Sequence, residues 1–165
     1  MKVLIDASSL IALTKTGSLD LIKDVFGRVF ITKEIEKEIT SGTLADVAIL
    51  KGKIKDWIEV IESPSSKEYY TKLKGLDEGE CSILGYAKEN KDVLLILDEV
   101  EGRAVAEAEG FTHTGTLGLI VYACEKRIIS KSRAMGIIKK LSRSEFRMTT
   151  ELYDWALTKI EAVKK

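Results

Sequence analysis

Glutamine is absent from this sequence, while asparagine occurs once (Asn90), proline once (Pro64), histidine once (His113) and cysteine twice (Cys81, Cys124). A single histidine at the end of an apolar run supplies neither a zinc site nor a Ser-His-Asp triad, so His113 reads as structural. Cys81 and Cys124 sit inside helical apolar patterns and in no Cys-x-x-Cys or Cys/His spacing, which marks them as small buried hydrophobes. No apolar run is long enough to cross a bilayer, and the chain opens on a strand pattern without a leader, so a cytoplasmic protein with no membrane partner is expected. Neither a phosphate loop ending in Gly-Lys-Ser/Thr nor a Gly-x-Gly-x-x-Gly motif is present, which counts against nucleotide-dependent enzymes. The scarcity of side-chain amides beside abundant Lys, Glu and Ile is a composition met in thermophile proteins.

What is there is 165 residues, 45% hydrophobic and 32% charged. That length reads as a single domain over 1–165 with chain enough to bury a core. Net charge is zero but segregated: Asp77 to Glu125 carries 11 acids against 3 bases, and Lys126 to Arg147 carries 8 bases against Glu145 alone. The C-terminal segment 126–165 is therefore a basic helical one. Arg133, Lys139, Lys140 and Arg143 are candidate nucleic-acid-binding residues. A solvated helix face, or a homodimer interface with the acidic half of a second copy, accounts for the same charges.

The chain is organised around Lys2-Val3-Leu4-Ile5-Asp6-Ala7-Ser8-Ser9, a short apolar run that ends on an aspartate and passes into the helical pattern of Leu10, Ile11 and Leu13. It reads as a buried parallel strand feeding a helix. The pattern returns at Val93 to Glu99 and, more briefly, at Arg28 to Ile31 and Phe111 to His113. Trp57 to Ile61 alternates like a half-exposed edge strand, and Ser63 to Lys74 reads as a polar, mobile connection. Strands alternate with helices until Gly115, after which the pattern to Ala162 is helical. The class is α/β, a parallel sheet with helices on both faces joined by right-handed crossovers.

Parallel strands deliver the residues at their carboxyl ends into one crevice. Asp6, Asp98 and the turn Thr114 to Gly118 emerge there together. Each acid also has a structural role open to it: Asp6, Asp77 and Asp98 precede helices as N-caps, and Glu80 and Glu101 stand at capping-box spacing. Glu80 shares a helix face with Ile83, Leu84 and Ala87, so its carboxylate leans inward and needs a partner. Glu101 reads as surface, and Glu99 is divided between the crevice and an ion pair with Arg103 four residues on. Glu38 borders the apolar stripe of Ile35 and Ile39, in a helix that Thr32 would cap, yet shares its surroundings with Glu34, Glu36 and Lys37. The hydroxyls of the Thr114 to Gly118 turn, Thr116 among them, would cap the next helix or reach a metal-bound water. Several carboxylates in one crevice repel unless a cation neutralises them, and an all-oxygen set selects Mg²⁺ or Mn²⁺.

Taken in order, these motifs resemble the PIN-domain family of metal-dependent ribonucleases, which includes the VapC toxins of toxin-antitoxin systems. Val3 to Ile11 is similar to the family's opening strand and first acid, and Ile31 to Ile39 to the segment carrying the second. Leu76-Asp77-Glu78-Gly79-Glu80, Leu95-Ile96-Leu97-Asp98-Glu99 with Arg103, and Gly115-Thr116-Leu117-Gly118 resemble a subgroup of small prokaryotic members. The resemblance covers about residues 1 to 129. It implies a three-layer fold with a parallel sheet of about five strands in order 3-2-1-4-5. It also implies catalytic, metal-binding acids at Asp6, Glu38, Glu80 and Asp98, with Thr116 and Glu99 auxiliary. Two of the four acids are glutamates, where many members carry aspartate in place of Glu80.

The expected function is a Mg²⁺- or Mn²⁺-dependent endoribonuclease acting on single-stranded RNA, with an antitoxin protein as a partner if it is a toxin. A PIN-fold module that binds RNA or protein without hydrolysis is the alternative. A phosphoacceptor receiver domain is excluded, since it needs an acidic pair after the first strand and a late Lys-Pro, and the one proline follows Ser63.

Overall fold

The computed structural model describes residues 1–42 and 44–164. In chain order the elements are β1 (Lys2–Ile5), α1 (Ala7–Lys15), α2 (Asp20–Phe26), β2 (Val29–Thr32), α3 (Lys33–Thr40), α4 (Leu44–Lys53), β3 (Ile58–Ile61), α5 (Lys67–Tyr70) and α6 (Glu78–Glu89). They continue with β4 (Val93–Ile96), α7 (Val100–Ala108), β5 (His113–Thr114), α8 (Thr116–Glu125), α9 (Lys131–Ser142) and α10 (Thr150–Ala162).

All strand pairs are parallel, in one five-stranded sheet of order β3-β2-β1-β4-β5. With its helices on both faces this is the three-layer α/β architecture expected. β1 is central because Val3, Leu4 and Ile5 are apolar toward both layers, and all three are buried. The chain leaves β1 toward β2 on one side and later returns to pair β4 on the other. That reversal opens a crevice at the carboxyl ends of β1 and β4. Their register runs from Lys2 opposite Val93 to Ile5 opposite Ile96, so Asp6 and the Leu97-Asp98 step come out side by side.

Local expectations largely hold. Thr32 caps α3, its hydroxyl accepting from the Ile35 N–H at 3.4 Å. The edge strand begins at Ile58, one residue later than its alternation suggests. The last strand is His113–Thr114, where Leu95 and Leu97 N–H groups donate to Thr112 and Thr114 carbonyls. His113 is structural, its Nδ1 lying 3.0 Å from the Phe111 carbonyl. Both cysteines are free and buried.

The stretch Ser63 to Lys74, a polar connection after Pro64 leading to another helical turn, contains α5. Tyr70 is wholly buried, and Ser63 Oγ and Lys67 Nζ both donate to Glu34, at 2.5 and 2.6 Å. The helix is seated where α6 has no side chain, since a Cβ on Gly85 would lie 2.5 Å from the Lys67 backbone nitrogen. The helical C-terminal third is three helices, α8, α9 and α10, packed on one another through Ile137, Ile138 and Leu141 of α9 and Ala156 and Ile160 of α10.

Candidate metal centre

Asp6 ends β1 and begins α1. Its Oδ1 accepts from the Ser9 N–H at 2.8 Å, as an N-cap, and its Oδ2 accepts from the Asp98 N–H at 2.9 Å. The residue is 3% exposed. Burial first, and then the neighbouring charge of Asp98, push its pKa up to about 7 against the hydrogen bonds that favour the charged form.

Glu80 does two things at once. The capping box foreseen from its spacing is formed: Asp77 Oδ1 accepts from the Glu80 N–H at 2.7 Å, and Glu80 Oε2 accepts from the Asp77 N–H at 3.0 Å. Its other oxygen, Oε1, is buried and has no hydrogen-bond partner. Burial, followed by the charges of Asp77, Glu99 and Glu101, raises Glu80 to about 7, opposed by the Asp77 N–H bond. Desolvating half a carboxylate without a donor is unfavourable, so Oε1 favours a neighbouring positive charge or a proton.

Both residues open on a pocket of about 10 Å³ lined by Asp6, Ala7, Ser8, Glu38, Asp77, Gly79, Glu80 and Glu99. That is the room of a single water-sized sphere, too small for an organic ligand. Glu38 reaches it from α3 and is exposed at the mouth; partial desolvation and then the charges of Asp77 and Glu99 raise its pKa. Glycines keep the walls thin. A Cβ on Gly79 would sit 3.1 Å from Glu38 Oε2, and one on Gly102 would sit 2.5 Å from Glu80 Oε1.

Glu99 resolves toward the crevice. It accepts from the Ser8 hydroxyl at 3.2 Å, and among the described residues it forms no ion pair with Arg103. Asp98 departs from the capping expected of it. The N-cap of α7 is Glu99, and Asp98 caps α8 instead, its Oδ1 accepting from the Thr116 N–H at 2.8 Å. Its Oδ2 accepts from the Ser9 and Thr116 hydroxyls at 2.7 and 2.5 Å. The reason is the parallel neighbour: β5 pairs with β4 and so brings the start of α8 within hydrogen-bond reach of Asp98. Thr116, wholly buried, is thereby tied to Asp98, which lies beside the pocket and not on its wall. Asp77, which the sequence marks only as a cap, does stand on that wall. Its position in a Gly-containing helix start facing α3 is the one signal that points to it.

Among the described residues, no group of three or more His, Cys, Asp or Glu side chains is already gathered into a metal site. The donor set nonetheless fits a hard divalent ion. It is all oxygen, it includes the partnerless Glu80 Oε1, and none of its carboxylates is in an ion pair among the described residues.

The four bases singled out in the C-terminal segment lie on α9 or at its end, and none lines this pocket. Arg133 pairs with Asp24 of α2 at 3.7 Å, and Lys140 donates to the Thr16 carbonyl at 3.4 Å. Lys139 and Arg143 are exposed. No helix among the described residues is long and apolar enough to cross a membrane.

A family model described as a PIN domain matches residues 2–162, well past the point near residue 129 where the visible motifs stop, and so takes in α9 and α10. No curated protein and no solved structure gives a match. The strand order, the acids at the carboxyl edge and this match agree, and the chain belongs to the PIN-domain family, whose members are commonly nucleases and generally use divalent metal ions.

Proposed function

We propose that this protein is a Mg²⁺- or Mn²⁺-dependent endoribonuclease that cleaves single-stranded RNA, with Asp6, Glu38, Glu80 and Asp98 as its catalytic acids, the first three facing the metal pocket and Asp98 standing beside it, and Glu99 and Thr116 as auxiliaries. The observation that carries this reading is the buried, partnerless Glu80 Oε1 in a pocket shared with Asp6, Glu38 and Glu99. Those residues would hold a divalent ion, which would supply Lewis acidity at a phosphodiester and offset their charge. The residues divide the remaining work. Asp6, Glu38, Glu80 and Glu99 face the pocket, while Asp98 fixes Asp6 through its N–H and holds Thr116 and Ser9 in place. Glu80, raised to about 7, is able to carry a proton near neutrality.

In the same proposal the chain is one PIN-like unit over 1–165 that works in the cytoplasm. Its basic segment meets RNA, or else a second copy. A toxin role would add an antitoxin protein as partner. A catalytically silent module that binds RNA or protein is the second reading, favoured by the lack, among the described residues, of three acids already gathered for a metal.

Two measurements separate these readings. Millimolar Mg²⁺ or Mn²⁺ should raise the melting temperature of the wild type, because an ion bound only by the folded state stabilises it by mass action. Cleavage of a labelled single-stranded RNA should need the ion and vanish in Asp6→Asn with the fold retained. Full cleavage by Asp6→Asn would refute the site, and midpoints unmoved by either ion would leave the silent module.

A further inference from the structure

Helix α7 turns two consecutive residues toward the crevice. Gly102 lies against Glu80, and Arg103 reaches toward the Gly115 turn. A Cβ on Gly115 would be 3.0 Å from Asp98 Oδ1 and 3.6 Å from Arg103 Nη1, so the guanidinium and the Asp98 carboxylate flank the same bare glycine. Yet they do not pair. Asp98 is already engaged by the Thr116 N–H and by the hydroxyls of Thr116 and Ser9. Glu99 is turned away to Ser8.

Arg103 is half-buried, and among the described residues its guanidinium makes no hydrogen bond and no ion pair. A guanidinium has five donors in a planar fork, stays charged, and is usually committed to an acceptor when its surroundings are partly dry. Even the more exposed Arg133 on α9 has an acceptor, pairing with Asp24 at 3.7 Å. The carboxylates beside Arg103 have been taken by hydroxyls and backbone N–H groups, which leaves its fork open beside the acid pocket.

We propose that Arg103 binds the non-bridging oxygens of an RNA phosphate at the crevice, holding the chain against the repulsion of the surrounding acids. This rests on the nuclease reading above and names the residue that receives its substrate. A bidentate Arg–phosphate contact supplies both charge and orientation. Gly115 matters because a side chain there would stand between the guanidinium and the Asp98 edge of the site.

The test uses the full chain and a labelled single-stranded RNA. Binding is followed against KCl with Ca²⁺ at a fixed concentration, and single-turnover cleavage is followed with Mn²⁺, for wild type, Arg103→Gln and Arg103→Lys. Arg103→Gln should bind RNA about tenfold more weakly at low salt, and its log-log salt slope should fall by roughly 0.7, the contribution of one single-strand phosphate contact. Arg103→Lys should keep the slope and cleave at least about tenfold more slowly at saturating RNA, because the charge remains and the fork does not. Unchanged affinity and slope in Arg103→Gln would overturn the proposal whether or not the wild type cleaves. Should Arg103→Gln fail to fold, Arg103→Lys decides, and a wild-type cleavage rate in it would overturn the proposal. A wild type that cleaves nothing but loses affinity with Arg103→Gln would remove the nuclease reading and keep the phosphate contact.

Discussion

Gly102 stands so close to Glu80 that a single methyl group on it would lie 2.5 Å from Oε1, a buried carboxylate oxygen with no hydrogen-bond partner among the described residues. The absence of a side chain on α7 is thus part of how the acid on α6 is accommodated. It separates two kinds of glycine in this protein, those that make room for a mobile side-chain end and those that make room for backbone.

Gly102→Ala should fold at least as well as the wild type, because alanine in a helix interior is favoured over glycine by roughly 0.5–1 kcal/mol and the Glu80 side chain can swing aside. Its melting temperature should respond less to Mn²⁺, since Oε1 is displaced. Gly85→Ala should behave in the opposite way. There the methyl group meets the Lys67 backbone at 2.5 Å, which cannot swing, and a loss of about 1–3 kcal/mol is expected. Thermal melts of both variants with and without Mn²⁺ check the contrast, and an unaltered Mn²⁺ response in Gly102→Ala would contradict it.

The ion-free protein should lose stability as pH rises through the range set by Glu80. Its carboxyl is raised from 4.5 in the ordinary state to about 7 in the fold. Between those values the unfolded chain releases the proton while the folded chain keeps it, so rising pH favours unfolding; below the range both states are protonated and the penalty disappears. At ~1.4 kcal/mol for each pH unit of difference, the effect is on the order of 3 kcal/mol. Asp6, raised for the same reason, adds in the same direction. Urea melts in EDTA at about pH 5 and about pH 8 should show this drop, and Glu80→Gln should remove most of it. A pH dependence identical in wild type and Glu80→Gln would show that Glu80 is not desolvated.

Replacing Arg133, Lys139, Lys140 and Arg143 together with alanine should weaken single-stranded RNA binding about equally for all sequences. Phosphate contacts do not read bases, and each one lost removes roughly 0.7 from the log-log salt slope. Arg133 and Lys140 are partly committed to Asp24 and Thr16, so Lys139 and Arg143 should account for most of the change. Cleavage at saturating RNA should survive, because none of the four lines the acid pocket. If the variant instead runs as a monomer in gel filtration where the wild type is a dimer, with its salt slope unchanged, the segment is a subunit interface.

Much of this molecule is legible in the order of its residues. Short apolar runs ending on Asp6 and Asp98 point to buried parallel strands, because they are too short for a helix and too evenly apolar for a strand with one wet face. Spacing alone gives the Thr32 cap and the reciprocal Asp77–Glu80 box, since both are closed within one helical turn. What the sequence could not decide is which oxygens are left over. Asp98 is engaged by Thr116 and Ser9, and Glu99 is turned to Ser8, through contacts between residues some 18 to 91 positions apart. The Ile5 to Ile96 register sets those contacts, and no local pattern encodes it. For the same reason the orphan Glu80 Oε1 and the unpaired Arg103 are visible only in three dimensions. Local geometry determines which groups are made, and the packing of distant strands determines which of them remain unsatisfied.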